Sequence, residues 1–125
     1  MGFKIRTSHQ TAELFGLLGK SQQLQPFTLA KLAISLSVKS PNPLSETDFN
    51  TDNKGLELNR QTITGEFDAL IKCLIEQNEG RYIEESEYFQ TYVKAHLDRG
   101  AVLLFNEHRY GGDLFVQLLQ TDQNI

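Results

Sequence analysis

TITGEFDALIKCLIEQ, residues 62–77, is the stretch whose reading decides the fold. Ile63, Phe67, Leu70, Ile71, Leu74 and Ile75 recur there at i, i+3, i+4 and i+7, the spacing that lines one face of an α-helix. A helix over Thr62–Gln77 is expected, with this stripe as the centre of the core and Cys73 as an inert thiol inside it. Asn59, Arg60, Thr62, Thr64, Gly65, Glu66 and Asp68 lead into it. In that position Asn or Thr can cap and carboxylates favour the positive end of the helix dipole. Glu66 and Asp68 are two apart, point in different directions on a helix, and so do not form an acid/base dyad.

Upstream, KSPNPLSETDFNTDNK (residues 39–54) holds Pro41, Pro43 and many turn formers, and reads as an irregular exposed loop. Before it, Pro26 suits the first position of a helix whose buried face is Leu29, Leu32, Ala33 and Leu36. An earlier helix starts with Ser8 as its cap, carries Ala12, Leu14, Phe15, Leu17 and Leu18, and is expected to stop near Gly19. Phe3-Lys4-Ile5-Arg6-Thr7 alternates as a short strand does, with Phe3 and Ile5 inward and Lys4 and Arg6 outward.

Downstream, a helix over Glu84–Asp98 buries Tyr88, Phe89, Tyr92 and Val93, with Gly100 as its stop. Ala101–Phe105 is an apolar run, helix or strand, and after Gly111-Gly112 a short helix capped by Asp113 carries Leu114, Phe115, Leu118 and Leu119. The sum is a mainly α, compact single-domain helical bundle over residues 1–125. It has a short N-terminal strand in the strand-helix-helix order of a ribbon-helix-helix protein.

Composition narrows the function. With 39% hydrophobic and 22% charged residues the chain is an ordinary folded one. A single cysteine excludes a disulfide framework and a multi-cysteine metal site. The first residues carry no secretion signal and no run is long and apolar enough to span a bilayer, so a cytoplasmic protein without membrane contact is expected.

The net charge of −4 argues against indiscriminate coating of nucleic acid, yet the charge is unevenly placed. Residues 1–39 hold five basic groups (Lys4, Arg6, Lys20, Lys31, Lys39) against Glu13 alone, a balance of +4, whereas residues 40–98 sum to −7. The basic third can meet phosphate while the remainder turns away. His9, His96 and His108 lack metal-ligand spacing, no glycine-rich phosphate loop is present, and no nucleophile pairs with a base. No catalytic residue, metal or cofactor is expected, and His96 reads as a hydrogen-bonded core residue.

GLELNRQTITGEFD, residues 55–68, resembles the signature of DndE-type DNA sulfur-modification (phosphorothioation) proteins, E-[FL]-N-R-x-T-[LI]-x-G-E-[YF]-D. LAKLAISLS (29–37) and AHLDRG (95–100) agree with the family in order and spacing. The resemblance implies a compact, mostly helical protein without enzymatic activity, working beside other Dnd proteins: a cysteine desulfurase or its substitute, an iron–sulfur protein and an ATPase-like protein. It implies DNA binding, with nicked duplex preferred, through surface lysines, and a homotetramer.

The family's turn between the first two helices carries small glycines where this chain has Lys20-Ser21-Gln22-Gln23, so a monomer or a weak assembly is expected here. The DNA-binding residues expected are Lys4, Arg6, Lys20, Lys31 and Lys39, with Lys72, Lys94 and Arg99 next in line. Two other readings are a protein-interaction scaffold of the modification complex and a ribbon-helix-helix transcriptional regulator.

Overall fold

Two helix starts in the first third form as their residues dictate. The Ser8 hydroxyl accepts the Thr11 N–H at 3.0 Å and opens α1, His9–Gln22. Pro26 opens α2, Pro26–Lys39, where its missing N–H costs nothing. The structure, a computed structural model, describes residues 4–111. Within them β1 (Lys4–Arg6) precedes α1 and α2, followed by α3 (Glu46–Phe49), β2 (Glu57–Asn59) and α4 (Arg60–Ile63). A 3-10 turn (Gly65–Phe67), α5 (Asp68–Glu79), α6 (Glu85–Glu87), a π-helical stretch (Tyr88–Val93) and α7 (Lys94–Gly111) complete the order. Phe3 and the expected helix after Gly112 lie outside the described residues.

The mainly α bundle with a short strand is as expected, and the strand-helix-helix order is present. The ribbon, however, is made within the chain. β1 pairs antiparallel with β2 in the register Lys4↔Asn59, Ile5↔Leu58, Arg6↔Glu57, burying Ile5 and Leu58 between exposed neighbours. A strand already paired at home has that edge closed to a copy from a second subunit.

The core is centred on α2 against α7, and this corrects the expectation for residues 62–77. α2 buries Leu29, Ala30, Ala33, Ile34 and Ser37, with Leu32 and Leu36 at its margin. α7 answers with Ala95, Leu97, Ala101 and Leu104, while Tyr88, Phe89, Tyr92 and Val93 of the π-helical stretch pack into the same core. Gly100 does not stop a helix. It sits inside α7 at the crossing with α2, where a Cβ would stand 1.8 Å from the Ala33 carbonyl oxygen. Gly19 likewise lies within α1, close to the Leu24 carbonyl, and the reversal falls at Gln23 with φ 56°.

The expected central helix is broken. Thr64 ends α4, Gly65 takes φ 49° in the 3-10 turn, and α5 starts afresh at Asp68. The break redirects the stripe: Ile63 and Ile75 are buried, but Phe67 (57% exposed), Leu70 (56%) and Leu74 (37%) face outward. Cys73 is exposed as well, so it is not a core thiol. The 39–54 segment is also more ordered than a plain loop. Leu44 is buried, Ser45 and Asp48 close a capping box on α3, and Phe49 meets Tyr92 edge-on at 5.3 Å.

Gly100→Ala tests the crossing. Alanine ordinarily favours a helix interior over glycine by about 1 kcal/mol. Here the added methyl meets backbone that cannot rotate aside, and overpacking costs about 1–3 kcal/mol or more. Net destabilisation is expected in denaturant unfolding, and an unchanged or raised midpoint would show that α2 and α7 separate freely.

Candidate nucleic-acid interface

A cation can meet phosphate only if the fold leaves it outside, so the interface follows from where each basic side chain is held. Arg60, Lys72, Lys94 and Arg99 are held internally. Arg60 forks onto Asp68, with Nε 3.0 Å from Oδ1 and Nη2 on Oδ2, and reaches Glu85 at 2.8 Å. These partners are eight residues apart, about 12 Å along a continuous helix. The turn at Gly65 brings them together.

Thr64 Oγ1 donates to Asp68 at 2.7 Å, and the Tyr88 hydroxyl donates to it at 3.1 Å. Burial pushes the Asp68 carboxyl up. The hydrogen bonds from Arg60 and Thr64 and the charge of Arg60 outweigh it and hold Asp68 below the usual carboxylate range. Burial, then the Asp68 charge, raises the Tyr88 phenol. Asp68 is therefore held as an anion shared among structural donors.

A second network ties the starts of α1 and α7. Asp98, 2% exposed in its side chain, accepts from Ser8 N–H at 3.1 Å, Thr11 Oγ1 at 2.7 Å, Thr51 Oγ1 at 2.6 Å and Lys94 Nζ at 2.7 Å. A third ties α2 to α7: Arg99 Nη2 donates to the Ser37 carbonyl at 2.7 Å and Nε to its hydroxyl at 2.8 Å, while Nη1 reaches the carbonyls of Asn42 and Pro43. The hydroxyl of Ser37 also meets His96 Nδ1 at 2.8 Å. Lys72 lies 3.5 Å from Glu85 and over the Tyr82 ring. Lys72, Lys94 and Arg99, next in line as DNA contacts, are thus engaged in holding the fold, and the one sequence signal that could have shown this is the i,i+4 spacing of Lys94 and Asp98.

The five expected DNA contacts are all exposed. Lys4 and Arg6 share the outer side of β1, where Arg6 Nη1 donates to the Gly55 carbonyl at 3.1 Å and Nη2 lies 4.0 Å from Glu57. Lys20 and Lys39 close the last turns of α1 and α2, and Lys31 lies 5.7 Å over the Phe27 ring. The five do not form one patch. α7 starts beside Ser8 and Thr11 and ends with His108 near Ser21 and Gln22, so it runs parallel to α1. Ser37 near the start of α7 makes α2 run the other way, placing Lys20 and Lys39 at opposite ends of the bundle. Among the described residues no group of acidic, histidine or cysteine side chains could hold a metal ion, and no helix is long and apolar enough to cross a membrane.

The chain matches the family model of the DNA sulphur modification protein DndE over residues 4–110. Among solved structures it is similar to that of DndE from Escherichia coli B7A, involved in DNA phosphorothioation modification. The TM-score is 0.65 at 22% identity, covering 82% of this chain and 95% of that one. It is also similar to a DndE mutant with two glycines replaced by lysine, at TM-score 0.60 and 22% identity, over 81% and 95% of the two chains. At that identity the likeness is one of fold. No curated protein matches significantly.

Burial, reinforced by the Arg99 charge, lowers the fully buried His96 from its ordinary 6.5 to about 3. The imidazole is neutral in the fold but protonates near 6.5 once unfolded, so between these values the unfolded state binds the extra proton. Stability is then lost as pH falls from about 6.5, at about 1.4 kcal/mol per pH unit. Chemical unfolding from pH 7 to 4.5 should show this slope and His96→Gln should flatten it; an equal slope in the variant would put the acid sensitivity elsewhere.

Proposed function

Because this chain belongs to the DndE family of DNA sulphur modification proteins, we propose that it serves DNA phosphorothioation as a non-catalytic accessory subunit that binds duplex DNA. The sulfur chemistry then falls to the other Dnd proteins, and this chain needs no cofactor. One observation carries the reading: the division of labour among its cations. Arg60, Lys72, Lys94 and Arg99 are drawn into internal carboxylate or carbonyl networks, whereas every lysine and arginine of residues 4–39 is presented at the surface, Arg6 while also bonded to the Gly55 carbonyl; Lys54 and Arg81 are the other exposed cations among the described side chains.

The spacing of the exposed set supports contacts with several phosphates rather than a grip on one. Lys31 and Lys39 stand about 12 Å apart along α2, and Lys20 lies at the far end of the bundle from Lys39. A duplex presents charge along its whole length, so separated lysines each find a phosphate without reading a base. Nicked duplex is the preferred substrate on the strength of the family. Lys20 and Gln23 stand exposed at the α1–α2 turn, and their long side chains oppose close subunit packing there.

The test is binding of nicked and intact duplexes over a salt series, with Lys4, Arg6, Lys20, Lys31 and Lys39 changed together to alanine. Affinity of the unaltered protein should fall as salt rises, because each phosphate contact releases counterions. The variant should bind every sequence more weakly and with a shallower salt slope. A folded variant with unchanged affinity and slope would move the site away from these residues. Loss of all binding by the unaltered protein would leave the scaffold reading in its place.

A further inference from the structure

An open notch of about 350 Å³ lies between β2 and the start of α2, walled by Pro26 and Phe27 on the helix side and by Glu57, Leu58 and Asn59 on the strand side. Inward-facing Leu58 and outward-facing Glu57 and Asn59 all line it, so it runs along the edge of β2 that β1 does not cover. The Thr7 N–H donates to the Leu56 carbonyl at 2.8 Å, which fixes the alternation of the ladder. Ile5 and Leu58 exchange hydrogen bonds, and the backbone N–H and C=O of Glu57 point away from β1 toward this free edge. The Phe27 ring is 40% exposed. No side chain caps the first turn of α2, whose dipole turns its positive end toward the notch.

Three of the exposed cations border the notch. Lys31 Nζ stands 5.7 Å from the centre of the Phe27 ring. Lys4 is the cross-strand partner of Asn59 and Arg6 of Glu57, on the same outer face, with paired Cβ atoms about 5 Å apart. An exposed aromatic ring among cations is what unstacked nucleic acid requires, a face for the base and charge for the phosphates beside it. We propose that the notch takes one unstacked base of the DNA, stacked on Phe27, with the adjoining phosphates held by Lys31 and Lys4. This rests on the DNA-binding reading above. It adds a contact that a fully paired duplex cannot make, because a base inside the stack presents no free face.

The walls also offer the hydrogen bonds that a base loses on leaving its pair. Asn59 Oδ1 accepts the Gln61 N–H at 2.8 Å, so its amide nitrogen is the donor it can turn to a ligand. Glu57 brings a carboxylate and a backbone carbonyl as acceptors and its N–H as a donor. The volume is at the lower end of small-molecule pockets, which span roughly 300–1,000 Å³. A protein strand laid along β2 would find only three residues to pair with and no use for the surrounding positive charge, so the site favours a polyanion. Pulling a base from an intact pair is costly, and selection therefore falls on DNA that already holds one outside the stack.

Fluorescence anisotropy with three duplexes of one sequence tests this: fully paired, with one bulged 2-aminopurine, and with the same bulge made abasic. The bulged base should bind roughly fivefold tighter or more than the other two, the ordinary weight of one base stacked on an aromatic ring. Its emission should be shielded from acrylamide in the complex. Phe27→Ala, at an exposed position outside the core, should keep its helical circular dichroism and bring the bulged duplex down to the affinity of the paired one. Phe27→Tyr keeps the ring and should keep the preference. Equal binding of the bulged and abasic duplexes, or a preference that survives Phe27→Ala, would overturn the proposal and leave the notch to a protein segment. Salt-dependent binding of all three would then still support the accessory DNA-binding role, whereas no binding to any would overturn both.

Discussion

The contact between Gly100 and the Ala33 backbone governs this fold. A side chain at position 100 would occupy the place of the Ala33 carbonyl, so α2 and α7 can approach this closely only where α7 has none. That approach lets small residues on both helices, Ala30 and Ala33 against Ala101, form the floor of the core. It also sets the distance at which polar groups of the two helices meet. Arg99 and His96, on the same face of α7, reach Ser37 one turn beyond Ala33 on α2. Buried polar groups are tolerated where they find partners, and the tight crossing puts Ser37 within reach of Arg99 and of His96 Nδ1.

The three polar networks then hang the rest of the chain on this pair. Asp98 gathers Ser8, Thr11 and Thr51, so the start of α1 and the end of the 39–54 segment are both tied to α7. Arg99 fixes Asn42 and Pro43 at that segment's beginning. Arg60 and Asp68 clasp the two sides of the Gly65 turn, with Tyr88 closing over them. Each network holds a cation that sequence reasoning could have offered to DNA. Removing one member would leave a buried charge unpaired, a larger penalty than the pair's net contribution.

Much of this was legible in the sequence because local rules carried it. Ser8, Pro26, Asn59 and the Tyr88–Val93 apolar group behave as their types and spacing imply. What was not legible turned on long-range geometry. Gly100 carries the same letter whether it stops a helix or admits a neighbour, and only the Ala33 backbone decides. The helical period of residues 63–75 is real, but period alone does not say which side is buried. The turn at Gly65 rotates the row of Phe67, Leu70 and Leu74 outward and leaves Ile71 and Ile75 facing in. For the candidate interface, the basic first third was legible as a count, whereas its dispersal over a strand and two helix ends was not. The direction of α2 relative to α1 is set by packing on α7.

The same geometry separates two kinds of surface. Where the fold draws a cation inward it also consumes a carboxylate, so the acidic residues of α5 and α6 do not simply repel DNA from a uniform negative shell. Asp68 and Glu85 take Arg60, and Lys72 faces Glu85. The exposed remainder on α5 is then neutral and apolar, while residues 4–39 keep their positive groups outside. Charge steers approach at a distance of about a Debye length, and apolar area acts only on contact. A chain that places these properties on different elements keeps its exposed positive groups and its exposed apolar face on separate residues.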